Sequence, residues 1–260
     1  MNLDGCSALI TGASAGIGRE FAGQLASRAK LLVLVARRRD RLEELRRELL
    51  AKNPALRVEI RDADLSSLEQ TMRLAESVAN QQIDLLINNA GLGDHGCFAT
   101  ADQTRVNAQV QVNVLALTAL TRAFLPRMIA QKRGAILNVS SSAGFLPLPK
   151  IAVYAATKAY VTSFSEAIRA ETRDYGISVT TLCPGPVHTE FAEVPDRQPE
   201  KERSRNSLVH VSVEKVVRDG LDAIERDKPL VIPGLAMKVI MTITRAGPLS
   251  LLRLGSRFGT

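Results

Sequence analysis

Tyr154 and Lys158 stand four residues apart in the run Tyr154-Ala155-Ala156-Thr157-Lys158. On a helix, positions i and i+4 share a face, so a phenol and an ammonium group point into the same space. An ordinary tyrosine titrates near ~10, too high for proton transfer at neutral pH, and a cation held beside it favours the phenolate. The pair therefore reads as a general acid and base. Thirteen residues upstream lies Ser141, in Asn138-Val139-Ser140-Ser141-Ser142-Ala143-Gly144, a hydroxyl cluster that ends a strongly apolar stretch. A serine there suits a carbonyl or hydroxyl oxygen while the tyrosine moves the proton. Amino acids contain no hydride donor, so a redox step at such a site needs a cofactor.

The elements that must position these groups begin at the N-terminus. Ala8-Leu9-Ile10 reads as a short buried strand, followed by Thr11-Gly12-Ala13-Ser14-Ala15-Gly16-Ile17-Gly18 and a helical stretch from Arg19. Glycines at a strand-to-helix turn let the backbone approach a pyrophosphate, whose charge suits a helix N-terminus. Gly12, Ser14, Ala15, Gly16, Ile17 and Gly18 are thus candidate cofactor contacts. The spacing is Gly-x3-Gly-x-Gly rather than Gly-x-Gly-x-x-Gly, and in isolation it also reads as a plain tight turn. Candidate strands at Ser7–Ile10, Leu31–Ala36, Arg57–Asp62, Leu85–Asn88, Gly134–Ser140, Ser178–Leu182 and Leu230–Ile232 alternate with helical patterns. That alternation predicts an α/β fold, a Rossmann-like doubly wound parallel sheet of seven strands with helices on both faces, in a single domain.

From about Leu3 to about Thr189 the chain resembles the short-chain dehydrogenase/reductase family. The resemblance rests on an ordered set: the Thr11-to-Gly18 loop, Asp64-Leu65, Asn88-Asn89-Ala90-Gly91, Asn113, Ser141, Tyr154-x3-Lys158 and Pro184-Gly185. It implies an NADP-preferring oxidoreductase in which Asp64, beside Leu65, binds the adenine amino group and Asn89, Ala90 and Gly91 line the cofactor. It further implies that Asn113 holds a water linking Lys158 to solvent, and that Lys158 reaches the nicotinamide ribose. Pro184, Gly185, Val187 and Thr189 would form the turn over the nicotinamide. In reduction, Ser141 and Tyr154 would hydrogen-bond the carbonyl oxygen and Tyr154 would donate the proton. Asn113, Ser141, Tyr154 and Lys158 are the catalytic candidates. A non-catalytic NADP-binding module that senses redox state stays open as a second reading.

Cofactor choice turns on the second strand. Leu31–Ala36 empties into Arg37-Arg38-Arg39, and Ala36 occupies the place where NAD-preferring relatives carry an acid. A guanidinium matches phosphate geometry, so Arg37 favours NADP(H), with NAD(H) the lesser alternative. Two features stand against this: Ala15 sits where some NADP-preferring relatives place a lysine or arginine, and the stretch from Arg37 to Lys52 also reads as a solvated helix with Glu43 and Arg47 at i,i+4.

The 260 residues are 45% hydrophobic, with formal net charge +7, and show no repeat or low-complexity tract. Cys6, Cys97 and Cys183 are scattered and in no metal-ligand spacing, which reads as buried free thiols and no metal site. The first strand begins within ten residues, leaving no room for a signal peptide, and the expectation is a cytoplasmic protein. Despite a sequence pI of about 9.6, the basic residues are interspersed with acids, aromatics are 4% and Trp is absent. Nucleic-acid binding is not expected.

Beyond Thr189 the sequence is individual. A charged, Pro-rich stretch at about 190–211 would form a substrate lid, as the resemblance implies; its composition alone also reads as a solvated surface loop. Ser212 would cap a helix from Val213 to Arg226. Residues 1–233 would form the cofactor-binding and catalytic unit, and 234–260 a helical tail of the same domain. From Gly234 onward there are four basic residues and no acid. Such a tail fits packing on its own domain, a homo-oligomer, or peripheral membrane contact alongside cytoplasmic residence. The substrate expected is a small carbonyl or alcohol compound of lipophilic character.

Overall fold

A computed structural model describes residues 1–187 and 210–246. Seven parallel strands, β1 (Ser7–Thr11), β2 (Leu31–Ala36), β3 (Arg57–Asp62), β4 (Leu85–Asn88), β5 (Gly134–Val139), β6 (Ile177–Leu182) and β7 (Leu230–Val231), form one sheet. Their order is β3-β2-β1-β4-β5-β6-β7. All residues of β1, β2, β4, β5 and β6 are buried. This is why those strands read as continuous apolar runs: a parallel sheet has helices on both faces. At the edge, β3 carries Arg57, Glu59, Arg61 and Asp62 and is only partly covered.

The helices are α1 (Gly16–Leu25), α2 (Arg39–Lys52), α3 (Leu68–Ser77), α4 (Gln103–Val110), α5 (Leu117–Gln131), α6 (Ala152–Thr172), α7 (Val213–Glu225) and α8 (Leu235–Ala246). Successive strand residues point to opposite faces. Ala8, Ile10, Leu32 and Leu34 therefore pack with Phe21, Leu25, Leu45 and Ile224 on one side. Leu9, Val33 and Val35 pack with Leu74, Leu120, Phe124 and Met128 on the other. A small third cluster joins Cys183, Ile232, Met237 and Met241 to Phe145 and Leu146.

The expected strands all form, with ends that differ by one residue: β1 runs on through Thr11, β6 starts at Ile177, and β5 and β7 stop at Val139 and Val231. The first helix begins at Gly16, ahead of the expected Arg19. Helix α2 begins at Arg39, and Glu43 pairs with Arg39 and Arg46, each at 3.7 Å, instead of Arg47. Ser212 does cap α7, accepting from the Lys215 amide. Cys6 and Cys183 are buried, but Cys97 is exposed, on the loop after β4. Burial pushes the Cys6 thiol up to about 11, with the nearby Asp84 adding to the effect.

Strand order reverses between β1 and β4, which pair although β2 and β3 lie between them in the chain. In such a sheet, ligands bind beyond the carboxyl ends of the strands at this switch point. The Gly-rich loop leaves β1 there, and Asn88-Asn89-Ala90-Gly91 leaves β4 beside it.

Candidate active site

The catalytic candidates collect at the carboxyl ends of β4, β5 and β6. Lys158, on α6, is 4% exposed. Its Nζ donates to the Val139 carbonyl at 2.8 Å and lies 5.8 Å from the centre of the Tyr154 ring. Burial lowers its pKa to about 8, opposed by a smaller effect of Cys183. The ammonium thus remains mostly protonated at neutral pH while held next to the phenol. Ser140 fastens β5 to this helix, its Oγ donating to the Lys158 carbonyl at 2.8 Å. Ser141 then caps a 3₁₀ turn, Ser142–Phe145, its Oγ accepting from the Ala143 amide at 3.1 Å.

Gly144 in that turn lies against the α6 backbone. A Cβ there would sit 2.7 Å from the Lys158 carbonyl carbon and 2.9 Å from the Ala159 nitrogen. Backbone cannot yield as a side-chain tip can, so Gly144→Ala must push the Ser141 turn away from Lys158. We expect a stability loss of about 1–3 kcal/mol and a fall in turnover, read by thermal unfolding and steady-state assay. Unchanged stability would show that the turn accommodates the methyl group.

Asn113 occupies a π-helical turn, Gln111–Ala116, between α4 and α5. Such turns insert an extra residue into a helix and recur at functional sites. The turn presents the Asn113 amide to two elements at once. Nδ2 donates to the Leu92 carbonyl at 2.8 Å and to Thr157 Oγ1 at 2.9 Å, while Oδ1 accepts from the Leu92 amide at 2.8 Å. Thr157 Oγ1 in turn donates to the Tyr154 carbonyl at 2.8 Å. The loop after β4 is thereby tied to the helix that bears Tyr154. With both amide protons taken, any water on this residue must be held by an acceptor atom. Gly91 fits between the groups: a Cβ on it would lie 3.4 Å from both Asn113 Oδ1 and Lys158 Nζ.

At the switch point, Thr11 joins the two strand ends. Its buried Oγ1 accepts from the Asn89 and Ala90 amides, both at 3.0 Å, and donates to the Ile87 carbonyl at 3.3 Å. Asn89 Nδ2 donates back to the Thr11 carbonyl at 2.9 Å. Gly12, at φ 66, has no room for a side chain, since a Cβ would lie 2.8 Å from Asn89 Nδ2. A Cβ on Gly18 would collide with the Gly12 carbonyl oxygen. Helix α1 begins without a side-chain cap, after Ala15 in extended conformation, and has no acid in its first turn. Its first amides are thus left for an anion. These features fit a dinucleotide pyrophosphate.

A profile described as "short chain dehydrogenase" matches residues 7–200. The chain belongs to the short-chain dehydrogenase family. An NADP-dependent 3-hydroxy acid dehydrogenase of Schizosaccharomyces pombe is 40% identical over 197 residues, 74% of this chain and 75% of that one. A very-long-chain 3-oxoacyl-CoA reductase of Danio rerio is 31% identical over 193 residues, 72% of this chain. The chain spans only 61% of the length of that curated relative. Among solved structures, a short-chain dehydrogenase from Sphingobium yanoikuyae in complex with NADPH superposes with a TM-score of 0.83 at 30% identity, covering 98% of this chain and 96% of that one.

The remaining candidates of this short-chain dehydrogenase are placed as follows. Asp64 follows β3, where its Oδ1 accepts from the Ser66 amide and hydroxyl at 3.0 and 2.8 Å. Burial pushes its carboxyl up, but the Ser66 bonds and the Arg37 charge outweigh that and hold it below its ordinary value. Leu65 is buried beside it. The Pro184 carbonyl accepts from the Ser142 amide at 2.9 Å, tying the exit of β6 to the Ser141 turn. Gly185 and Val187 continue from there half-buried. Thr189, nearly all of the expected lid, and the tail beyond Ala246 lie outside the described residues.

The arginines after β2 divide in a way their sequence does not reveal. Arg37 is exposed, and Arg39 is engaged by Asp62 at 2.8 Å. Arg38 reaches the Gly-rich loop, with Nη2 3.3 Å from Ser14 Oγ. Sequence reasoning chose Arg37 alone and passed over Arg38, Thr11, Thr157 and Gly144. Cavity size does not locate this site. A groove of about 510 Å³ lies at the opposite, amino-terminal edge of the sheet, among Lys132, Arg133, Arg169, Arg173 and Asp227. A smaller one, about 380 Å³, lies between His95, Phe98, Arg105 and the Ile151–Val153 segment just before Tyr154. The strand ends place the chemistry on the second side.

Proposed function

We propose that this protein transfers hydride between NADP(H) and the carbonyl or secondary alcohol of a lipophilic substrate, with Tyr154 as general acid and base. A 3-oxoacyl-CoA or a 3-hydroxy acid is the class that the names of the two relatives favour. The observation that carries the reading is the buried Lys158 ammonium beside the Tyr154 ring. Bound nicotinamide would supply or accept the hydride at the substrate carbon. Ser141 would hold the substrate oxygen, and Tyr154 would give it a proton as negative charge develops there. Lys158 would stabilise the phenolate left behind, and Asn113, through Thr157, would keep α6 in register with the loop after β4. In oxidation the same groups act in reverse.

Arg38, which reaches Ser14 of the Gly-rich loop, and Arg37, whose charge acts on Asp64, support NADP over NAD, because a guanidinium matches an adenosine 2′-phosphate. A hydrogen bond to a charged group contributes about 1.5–3 kcal/mol, and 1.4 kcal/mol is about tenfold. Replacing both arginines by Ala should therefore lower kcat/KM with NADPH by about tenfold or more and leave that with NADH unchanged. Equal effects on the two cofactors would remove the assignment. The reaction itself is tested by following NADPH absorbance against a panel of ketones, aldehydes and 3-oxoacyl thioesters. NADPH binding without turnover on any of them would instead favour a non-catalytic sensing module.

A further inference from the structure

Helix α8 has two apolar faces. One is internal: Met237 and Met241, 7% and 4% exposed, close the small cluster with Cys183, Ile232, Phe145 and Leu146. The other is in solvent. Leu235, Val239 and Ile243 recur every fourth residue, with Ile240 next to them, and they are 79%, 49%, 68% and 45% exposed. A helix at the surface of a self-contained domain needs only the first of these faces. The polar residues Lys238 and Thr242 form the strip between the two. From Gly234 to Thr260 the sequence holds Lys238, Arg245, Arg253 and Arg257 and no acidic residue.

We infer that the outer face of α8 lies on an anionic lipid bilayer, with Leu235, Val239, Ile240 and Ile243 among the acyl chains and Lys238 at the phosphates. This goes beyond the proposed reaction and does not depend on it. Charge separates this occupant from a second copy of the chain. A two-fold dimer sets one patch against itself, which would bring Lys238, unbalanced by any acid on α8, against its own like charge. An anionic surface complements it. Burial fixes the mode of binding: Met237 and Met241 hold one face of α8 against its own domain, so only the opposite face can meet lipid. The helix therefore lies flat, as interfacial helices do. Because α8 rests on Phe145 and Leu146, the lipid would adjoin the turn that Ser141 caps.

The test is sedimentation of the full chain with phosphatidylcholine vesicles, with and without phosphatidylserine, compared with the double variant Val239→Glu, Ile243→Glu. Both positions are exposed, so thermal unfolding should be unchanged. The expected result is salt-sensitive sedimentation of the natural chain with phosphatidylserine vesicles, reduced about tenfold or more in the variant. Failure of the natural chain to sediment at low salt, or equal sedimentation of the variant, overturns the inference. Equal binding to phosphatidylcholine alone overturns the anionic preference. A dimer that the two substitutions convert to monomer, without vesicle binding, assigns the face to a second copy instead.

Discussion

Tyr154→Phe lowers turnover by about 10²–10⁴-fold, the range a positioned general acid contributes, while leaving NADPH affinity and the unfolding temperature near those of the natural protein. The substitution removes one oxygen. The ring stays on the first turns of α6 beside Lys158 Nζ, so packing of the helix is retained. The Thr157 hydroxyl holds the Tyr154 carbonyl, and Asn113 holds Thr157, so the backbone of this turn keeps its anchors in the variant. Loss of rate without loss of cofactor binding therefore isolates proton transfer. Steady-state rates and NADPH titration of both proteins check this, and a variant with full activity would remove Tyr154 from the chemistry.

Lys158→Met separates stability from function. Burial takes the Lys158 ammonium down to about 8, whereas an unfolded chain keeps that proton up to ~10.4. Below about 8 both states are charged, and the fold bears the full cost of burying the ammonium. Between these values the unfolded chain binds more protons, so stability rises with pH, and above ~10.4 the cost is gone. The rise amounts to on the order of 3 kcal/mol. Methionine fills the same space without charge but leaves the Val139 carbonyl without its donor, at about 1 kcal/mol. The variant should be more stable than the natural protein at neutral pH by about 2 kcal/mol. Its stability should lack the contribution that grows between about pH 8 and ~10.4. Turnover should fall by about a hundredfold or more, because no cation faces the phenol. Denaturant unfolding across pH reads the first effect and a rate assay the second. A variant less stable than the natural protein, with the alkaline rise intact, would show that burial of the charge is not what Lys158 costs the fold.

The strands were legible because parallel strands covered on both faces carry one long apolar signal: Leu31–Ala36 has no polar residue to blur it. Their ends shift by a residue where polar side chains turn inward to tertiary partners, as Thr11 does. Helix α1 starts earlier than its composition suggests. Glycines weaken a helix locally, but Gly18 is required by the close approach of Gly12 and Asn89, and Gly16 by its φ of 53°. The π turn at Asn113 has no sequence mark of its own. It exists because Leu92 and Thr157, 21 and 44 residues away, hold the amide. Nothing in the run Arg37-Arg38-Arg39 says which guanidinium meets Ser14, since that depends on the backbone turn at Arg38. Exposure of Cys97 and of the outer face of α8 likewise follows from which surfaces other elements cover.

By itself the sequence determined the order of strands and helices, the Gly-rich turn, and the i,i+4 pairing of Tyr154 with Lys158. These are local properties, set by apolar periodicity and by spacing of a few residues along one helix. Tertiary structure alone decided that β1 pairs with β4, that Lys158 is buried against the Val139 carbonyl, and that Asn113 ties the β4 loop to the Tyr154 helix. Each of those depends on groups brought together from distant parts of the chain, and only packing of helices against both faces of the sheet makes such contacts favourable.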